Sequence, residues 1–139
     1  MSSTFNDVRA VIEGRLATEM ANAPAYQVAY ANTAFTPPDD APWLSAQINF
    51  GDNSYFTLQA PTAGINRQSG VLVVDIFGNV GIGAAGAYTI AERVKDLFDR
   101  KTVSGVIFDA ASGPSQIVSG LSDSFFQVQV SVSFDAYLS

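Results

Sequence analysis

Apolar residues recur along the chain at two periods, and each change of period marks a change of element. Phe5, Val8, Ile12, Leu16 and Met20 lie three or four residues apart, which gathers them on one face of a helix. Thr4 with Asp7 three residues on has the layout of a capping box, Asp standing for the usual Glu or Gln, and Asn22, Ala23 and Pro24 close the segment. Tyr26 to Tyr30 alternates and is β-prone, which predicts a strand. Pro37, Pro38 and Pro42, with Asp39 and Asp40 between them, exclude regular structure over 31–42. From Trp43 to Phe50 a period of two returns, with Leu44, Ala46, Ile48 and Phe50 on one side. Gly51-Asp52-Asn53-Ser54 then predicts a turn, and Tyr55 to Leu58 an antiparallel return. Residues 60–70, which include Arg67, read as a polar connection.

Val71 to Phe77 (VLVVDIF) is the strongest candidate for a buried strand, and Asp75 interrupts it on one side only, which leaves one face wet. A glycine-rich stretch, GNVGIGAAG, leads into a second helix over about Ala87 to Lys101. Its apolar stripe is Ala87, Ile90, Ala91, Val94, Leu97 and Phe98, and cations crowd its last turn, as the helix dipole favours. Val103 to Phe108 reads as a short strand, Ala110 to Pro114 as a turn, and Gln116 to Val118 as another short strand. The last segment alternates without a break. Phe126, Val128, Val130, Val132, Phe134, Ala136 and Leu138 share one side, and Gln127, Gln129, Ser131, Ser133, Asp135 and Tyr137 the other. A strand so patterned is covered on one face only. The sum is one α+β domain over 1–139, an antiparallel or mixed sheet with two α-helices packed on its apolar face. The Gln/Ser/Asp face is either wet or reserved for a partner.

Composition narrows the function. A chain of 139 residues, 47% apolar, buries roughly 68% of its unfolded surface and supports one core. No run of about 18 uncharged apolar residues could span a membrane, and MSSTFNDVRAVIEGR does not have the apolar block of a secretory signal. There is no Cys and no His. Disulfides, thiolate nucleophiles, Cys- or His-ligated metals and His-based triads are therefore all excluded. The net charge of −6 is unevenly spread. Residues 1–23 and 87–101 nearly balance, whereas Asp39, Asp40, Asp52, Asp75, Asp109, Asp123 and Asp135 face the single cation Arg67. That distribution disfavours specific nucleic-acid binding and attachment to an anionic membrane, and it serves solubility.

One motif invites a nucleotide. Gly81-Ile82-Gly83-Ala84-Ala85-Gly86 matches G-x-G-x-x-G between a strand and a helix, with Asp109 a suitable distance on. Three features oppose it: slack at Gly78-Asn79-Val80 after a strand ending near Phe77, the absence of a third helix over 102–139, and strict alternation in the last strand where a doubly wound sheet needs a continuous apolar run. The stretch reads better as a glycine-rich connection. Asp39–Asp40 is at most half a metal site, and the acids and cations of 92–100 read as a solvated helix face. No catalytic, cofactor-binding or metal-binding residue is predicted. Trp43, the only Trp, is either a core plug or an exposed interface anchor. Arg67 is either solvated or reaches a neighbour's carboxylate.

The order of these pieces resembles the tail terminator and tail-completion proteins of long-tailed bacteriophages and prophages. The carriers are Phe35-Thr36-Pro37-Pro38 with Pro42-Trp43-Leu44, then Arg67-Gln68-Ser69-Gly70-Val71-Leu72-Val73-Val74, the Gly81-to-Gly86 stretch, Ala91-Glu92-Arg93-Val94 with Leu97-Phe98, and Val128-Gln129-Val130-Ser131-Val132-Ser133-Phe134. The resemblance implies a non-enzymatic virion protein without cofactors, formed in the host cytoplasm and placed in the tail. It implies a hexameric ring of copies that caps the tail tube, ends its polymerisation and offers a surface to the head-completion or connector protein. Pro37, Pro38, Asp39, Asp40, Trp43, Arg67, Gly81 and Gly83 are the candidate contacts with other copies or with the tail. Another head–tail adaptor, a tube-type subunit, or a small nucleotide-binding protein using 81–86 are the alternatives.

Overall fold

The predicted capping box opens the first helix. The Asp7 N–H donates to Thr4 Oγ1 at 3.2 Å, and the Thr4 N–H donates to Asp7 Oδ2 at 3.0 Å. In the computed structural model of the chain, residues 4–22, 25–30, 42–55, 66–79, 85–117 and 125–138 are described. They form α1 (Phe5–Met20), β1 (Gln27–Tyr30), β2 (Trp43–Tyr55), β3 (Asn66–Asn79), α2 (Ala85–Phe98), β4 (Thr102–Val103), β5 (Val106–Phe108), β6 (Ser112–Ile117) and β7 (Phe125–Leu138). The strands make one sheet in the order β1-β2-β3-β7-β5-β4, with β6 also paired to β7. β1 runs parallel to β2, and every other pairing is antiparallel. The fold is α+β with a mixed, mostly antiparallel sheet, as the two hydrophobic periods predicted.

Period and register together fix which face is buried. β3 and β7 pair from Asn66↔Leu138 to Asn79↔Phe125 without a break, so their apolar sets lie side by side. Leu44 and Ala46, Leu72, Val74 and Ile76, and Val128, Val130, Val132, Phe134 and Ala136 are all buried on that face. Both helices lie against it through Val8, Ile12, Leu16 and Met20 of α1 and Ala87, Ile90, Ala91, Val94 and Phe98 of α2. Each large apolar side chain buried in this way contributes about 1.5–3 kcal/mol. A chain of aromatic contacts crosses the layers. Phe5 meets Phe50 edge-on at 4.7 Å, Phe50 meets Phe134 at 5.9 Å, Phe134 meets Phe108 at 6.0 Å, and Phe108 meets Phe98 at 5.0 Å. Phe5 stands at the rim of this series and is 51% exposed, unlike the rest of the predicted α1 stripe.

The local predictions fail where tertiary pairing outweighs turn chemistry. Gly51-Asp52-Asn53-Ser54 does not reverse the chain. β2 continues to Tyr55, and the turn-prone residues are absorbed by a bulge between the Phe50↔Gly70 and Asn53↔Gln68 pairs. Nor do 66–70 belong to a polar connection, since β3 begins at Asn66; the expected return over Phe56–Leu58 lies outside the described residues. Gln68 is buried at 3% exposure because its Nε2 donates to Gly51 O at 2.8 Å and to Ser69 O at 2.9 Å, serving carbonyls at the bulge. α2 ends at Phe98, not Lys101. Only Lys95 of the cations lies in its last turn, and Arg100 takes the left-handed conformation (φ 55) that ends the helix. Val103 to Phe108 is a hairpin, β4 to β5, turned at Ser104 (φ 48) and Gly105 (φ 86). The predicted turn at Ala110–Pro114 and strand at Gln116 merge into β6, an edge strand that carries Pro114.

Candidate interaction surface

The polar face of the sheet alternates with the core face residue by residue. The pairings Ser45↔Asp75↔Gln129 and Trp43↔Phe77↔Gln127 set these side chains in cross-strand rows. Asp75 Oδ1 accepts from Gln127 Nε2 at 3.1 Å and from Gln129 Nε2 at 3.0 Å, which fixes two glutamines of β7 to the middle strand. Beside them Trp43 stacks on Phe77, rings 4.2 Å apart and 13° from parallel. Farther along, Arg67 Nη2 reaches Asp135 Oδ2 at 3.1 Å, and Ser69 Oγ donates to Asp135 Oδ1 at 3.2 Å. Arg67 is half exposed, so this pair adds at most about 1 kcal/mol.

Trp43 and Arg67 therefore share this face but not one place on it. Arg67 and Phe77, the partner of Trp43, are ten residues apart on β3, roughly 33 Å at strand rise. Trp43 is neither a plug of the helix-covered core nor a fully exposed anchor: it is half-buried on the opposite face. Arg67 finds its carboxylate within the chain, at Asp135. Pro37, Pro38, Asp39, Asp40, Gly81 and Gly83 lie outside the described residues. β3 runs to Asn79, two residues beyond the predicted end, so less slack precedes Gly81 than the spacing suggested. The stronger objection to a dinucleotide fold is topological, because β3 lies between β2 and β7 and is antiparallel to both.

A second surface comes from the helices and was not legible in the sequence, since it needs the crossing of α1 and α2. Arg93 clamps the two helices: its Nε and Nη2 donate to Glu19 Oε2 at 3.2 and 2.9 Å, and Nη2 also donates to Glu19 O at 2.8 Å. The same guanidinium sits 5.6 Å over the Tyr26 ring. Arg15 Nε donates to Leu97 O at 2.9 Å, taking one of the carbonyls left over at the end of α2. Between these links runs a groove of 480 Å³ lined by Ala10, Val11, Gly14 and Leu97 and by the hairpin residues Val103 and Ser104, and bordered by Arg15 and Glu19. It adjoins a depression of 330 Å³ where Arg15, Arg93 and Lys101 stand with Glu19 and Asp96.

On the far side of α1, the Tyr30 hydroxyl is buried with no hydrogen-bond partner among the described residues. Burial, and secondarily the charge of Glu13, push its pKa above 10.0. Among the described residues no three acids come together as metal ligands, and no helix is long and apolar enough to cross a membrane.

Comparison with known proteins agrees with the resemblance seen in the sequence. No functionally curated protein matches the chain. A protein of solved structure, 26% identical, superposes with a TM-score of 0.72 over 97% of this chain and 96% of its own. The family model described as phage tail terminator protein matches residues 7–134, from the first turn of α1 into the buried stretch of β7. With α2, nearly all of α1 and at least part of every strand inside that match, the chain belongs to the phage tail terminator protein family.

Proposed function

We propose that the protein caps the end of a phage tail tube as a ring of identical copies, six in number, which ends tube polymerisation and provides the surface for head joining. Membership of the family makes the protein a structural component of the phage tail that associates with other tail components. The finer role is supported above all by the extent of the family match, which takes in residues 7–134 of the 139. A sheet covered by helices on one side only suits a subunit that meets neighbours through its remaining surfaces. A ring of this kind needs two different patches that meet head to tail and close by rotation. We place Pro37, Pro38, Asp39, Asp40, Trp43, Arg67, Gly81 and Gly83 among those contacts, with the tail tube protein and the head-completion or connector protein as the other partners. In this reading the protein works without a cofactor, assembles in the host cytoplasm and binds no nucleic acid specifically.

Deletion of the gene in the parent phage tests the role. Overlong or headless tails are expected by electron microscopy, and tails of normal length joined to heads would refute it. Purified protein mixed with tail tubes should decorate one tube end. Polymerisation of the protein alone into long tubes would mark a tube subunit instead.

A further inference from the structure

Charge divides this chain in a way that its pairings leave unspent. Residues 5–22 and 85–101 hold Arg9, Arg15, Arg93, Lys95, Arg100 and Lys101, balanced by six acids, whereas the rest of the sequence sets seven Asp against Arg67. Arg9, Arg67 and Arg93 each have a carboxylate partner; Arg15, Lys95, Arg100 and Lys101 have none among the described residues. Of those four, Arg15 borders the groove between α1 and the end of α2, and Lys101 stands with it in the adjoining depression, where Glu19 is already held by Arg93 and Asp96 is the other acid among the described lining residues. Arg15 is also fixed in place. Its Nε is tied to Leu97 O, which leaves the two terminal nitrogens as a positioned fork for a carboxylate.

We propose that this groove receives an acidic segment of a second copy of the chain, seating apolar atoms on Ala10, Val11, Gly14 and Leu97 and carboxylates against Arg15 and Lys101. The inference rests on the ring reading and names the patches that meet in it. The complement comes from the same sequence. The net charge of −6 lies wholly outside the helical segments, and Asp39–Asp40 is its densest stretch. One patch basic and the other acidic is a heterologous contact, which continues from copy to copy until a rotation closes it. Electrostatic complementarity also fixes orientation, since two grooves or two acidic stretches repel each other.

Sedimentation velocity of the full chain at rising concentration, in about 20 mM and about 500 mM salt to span weak and strong screening, tests this directly. Wild type should self-associate at low salt, with affinity falling about tenfold or more at high salt. Lys101→Glu, alone and with Arg15→Glu, should abolish association, and so should Asp39→Lys with Asp40→Lys. The Arg15/Lys101 pair makes the chain more negative and the Asp39/Asp40 pair makes it less negative, so general repulsion cannot explain a loss in both. Mixing the two kinds of variant should restore association, because each then offers a complementary patch to the other. Lys101 lies beyond α2 and is exposed, so its variant keeps the fold, which circular dichroism verifies. A wild type that stays monomeric at every concentration and salt, variants that associate like wild type, or a mixture that stays apart would each overturn the proposal. The tail-end role would fail separately, by normal tails in the deletion phage.

Discussion

Tyr30 and Gly70 show how single side chains sit against this core. Among the described residues the Tyr30 hydroxyl has lost water without gaining a partner, and such a buried group costs rather than stabilises. Tyr30→Phe is therefore expected to leave the protein as stable as wild type or more stable, by up to about 1 kcal/mol in urea unfolding at neutral pH. The raised pKa gives the pH dependence its sign. A folded-state pKa above the ordinary 10.0 favours the protonated phenol in the folded state, so this contribution is complete below pH 10.0 and is lost as pH rises through the raised value. Wild type should lose more stability than Tyr30→Phe between neutral pH and about pH 11. Gly70 serves a different need: the Phe134 ring lies where a Cβ would stand. Gly70→Ala should cost about 1–3 kcal/mol by displacing that ring, and a folded-state stability equal to wild type would refute the close approach. The sequence shows a glycine at the start of VLVVDIF, but only the β3–β7 register reveals what it makes room for.

At the scale of elements, α1 and β7 are legible because each carries one uninterrupted period and α1 also has its cap. Thr4→Ala removes the acceptor for the Asp7 N–H and should lower stability by about 1 kcal/mol, seen as a drop in thermal midpoint with unchanged far-ultraviolet spectrum. By sequence alone the β4–β5 hairpin reads as one strand, because Ser104-Gly105 interrupts only a short apolar run. Its turn needs positive φ at both residues. Gly105→Ala meets no neighbour, so its cost of about 1 kcal/mol comes from backbone strain alone. The bulge in β2 is the converse error. Turn-forming residues at 51–54 are outvoted by a ladder to β3 that resumes on the other side, with Gln68 satisfying the carbonyl beside it.

Across the whole molecule, the two helices and the sheet share one continuous set of buried residues, with Arg93 and Arg15 linking the helices at the surface. Such a core should unfold as a unit. Trp43, the single Trp of the sequence, stacks on Phe77 on the polar face and reports on the sheet by fluorescence, and far-ultraviolet circular dichroism is dominated by the helices. The two denaturant transitions should coincide, and a separate early loss of helix would show that α1 and α2 are not locked to the sheet. Of the candidate contact residues, Trp43 and Arg67 lie among the described residues, and they stand far apart on one face. Proximity in function was beyond reach of the sequence because it depends on strand register, which no local pattern encodes.

The sequence by itself determined the two hydrophobic periods, and through them the α+β class, the sidedness of the sheet, the cap of α1 and the exclusion of His- and Cys-based chemistry. These are properties of nearest neighbours along the chain, where spacing alone decides which side chains share a face. Strand order, the parallel pairing of β1 with β2, the bulge that replaced a turn and the charged groove between the helices were decided only in the tertiary structure. Each joins residues tens of positions apart, and their free energy comes from contacts that exist only once the layers have closed.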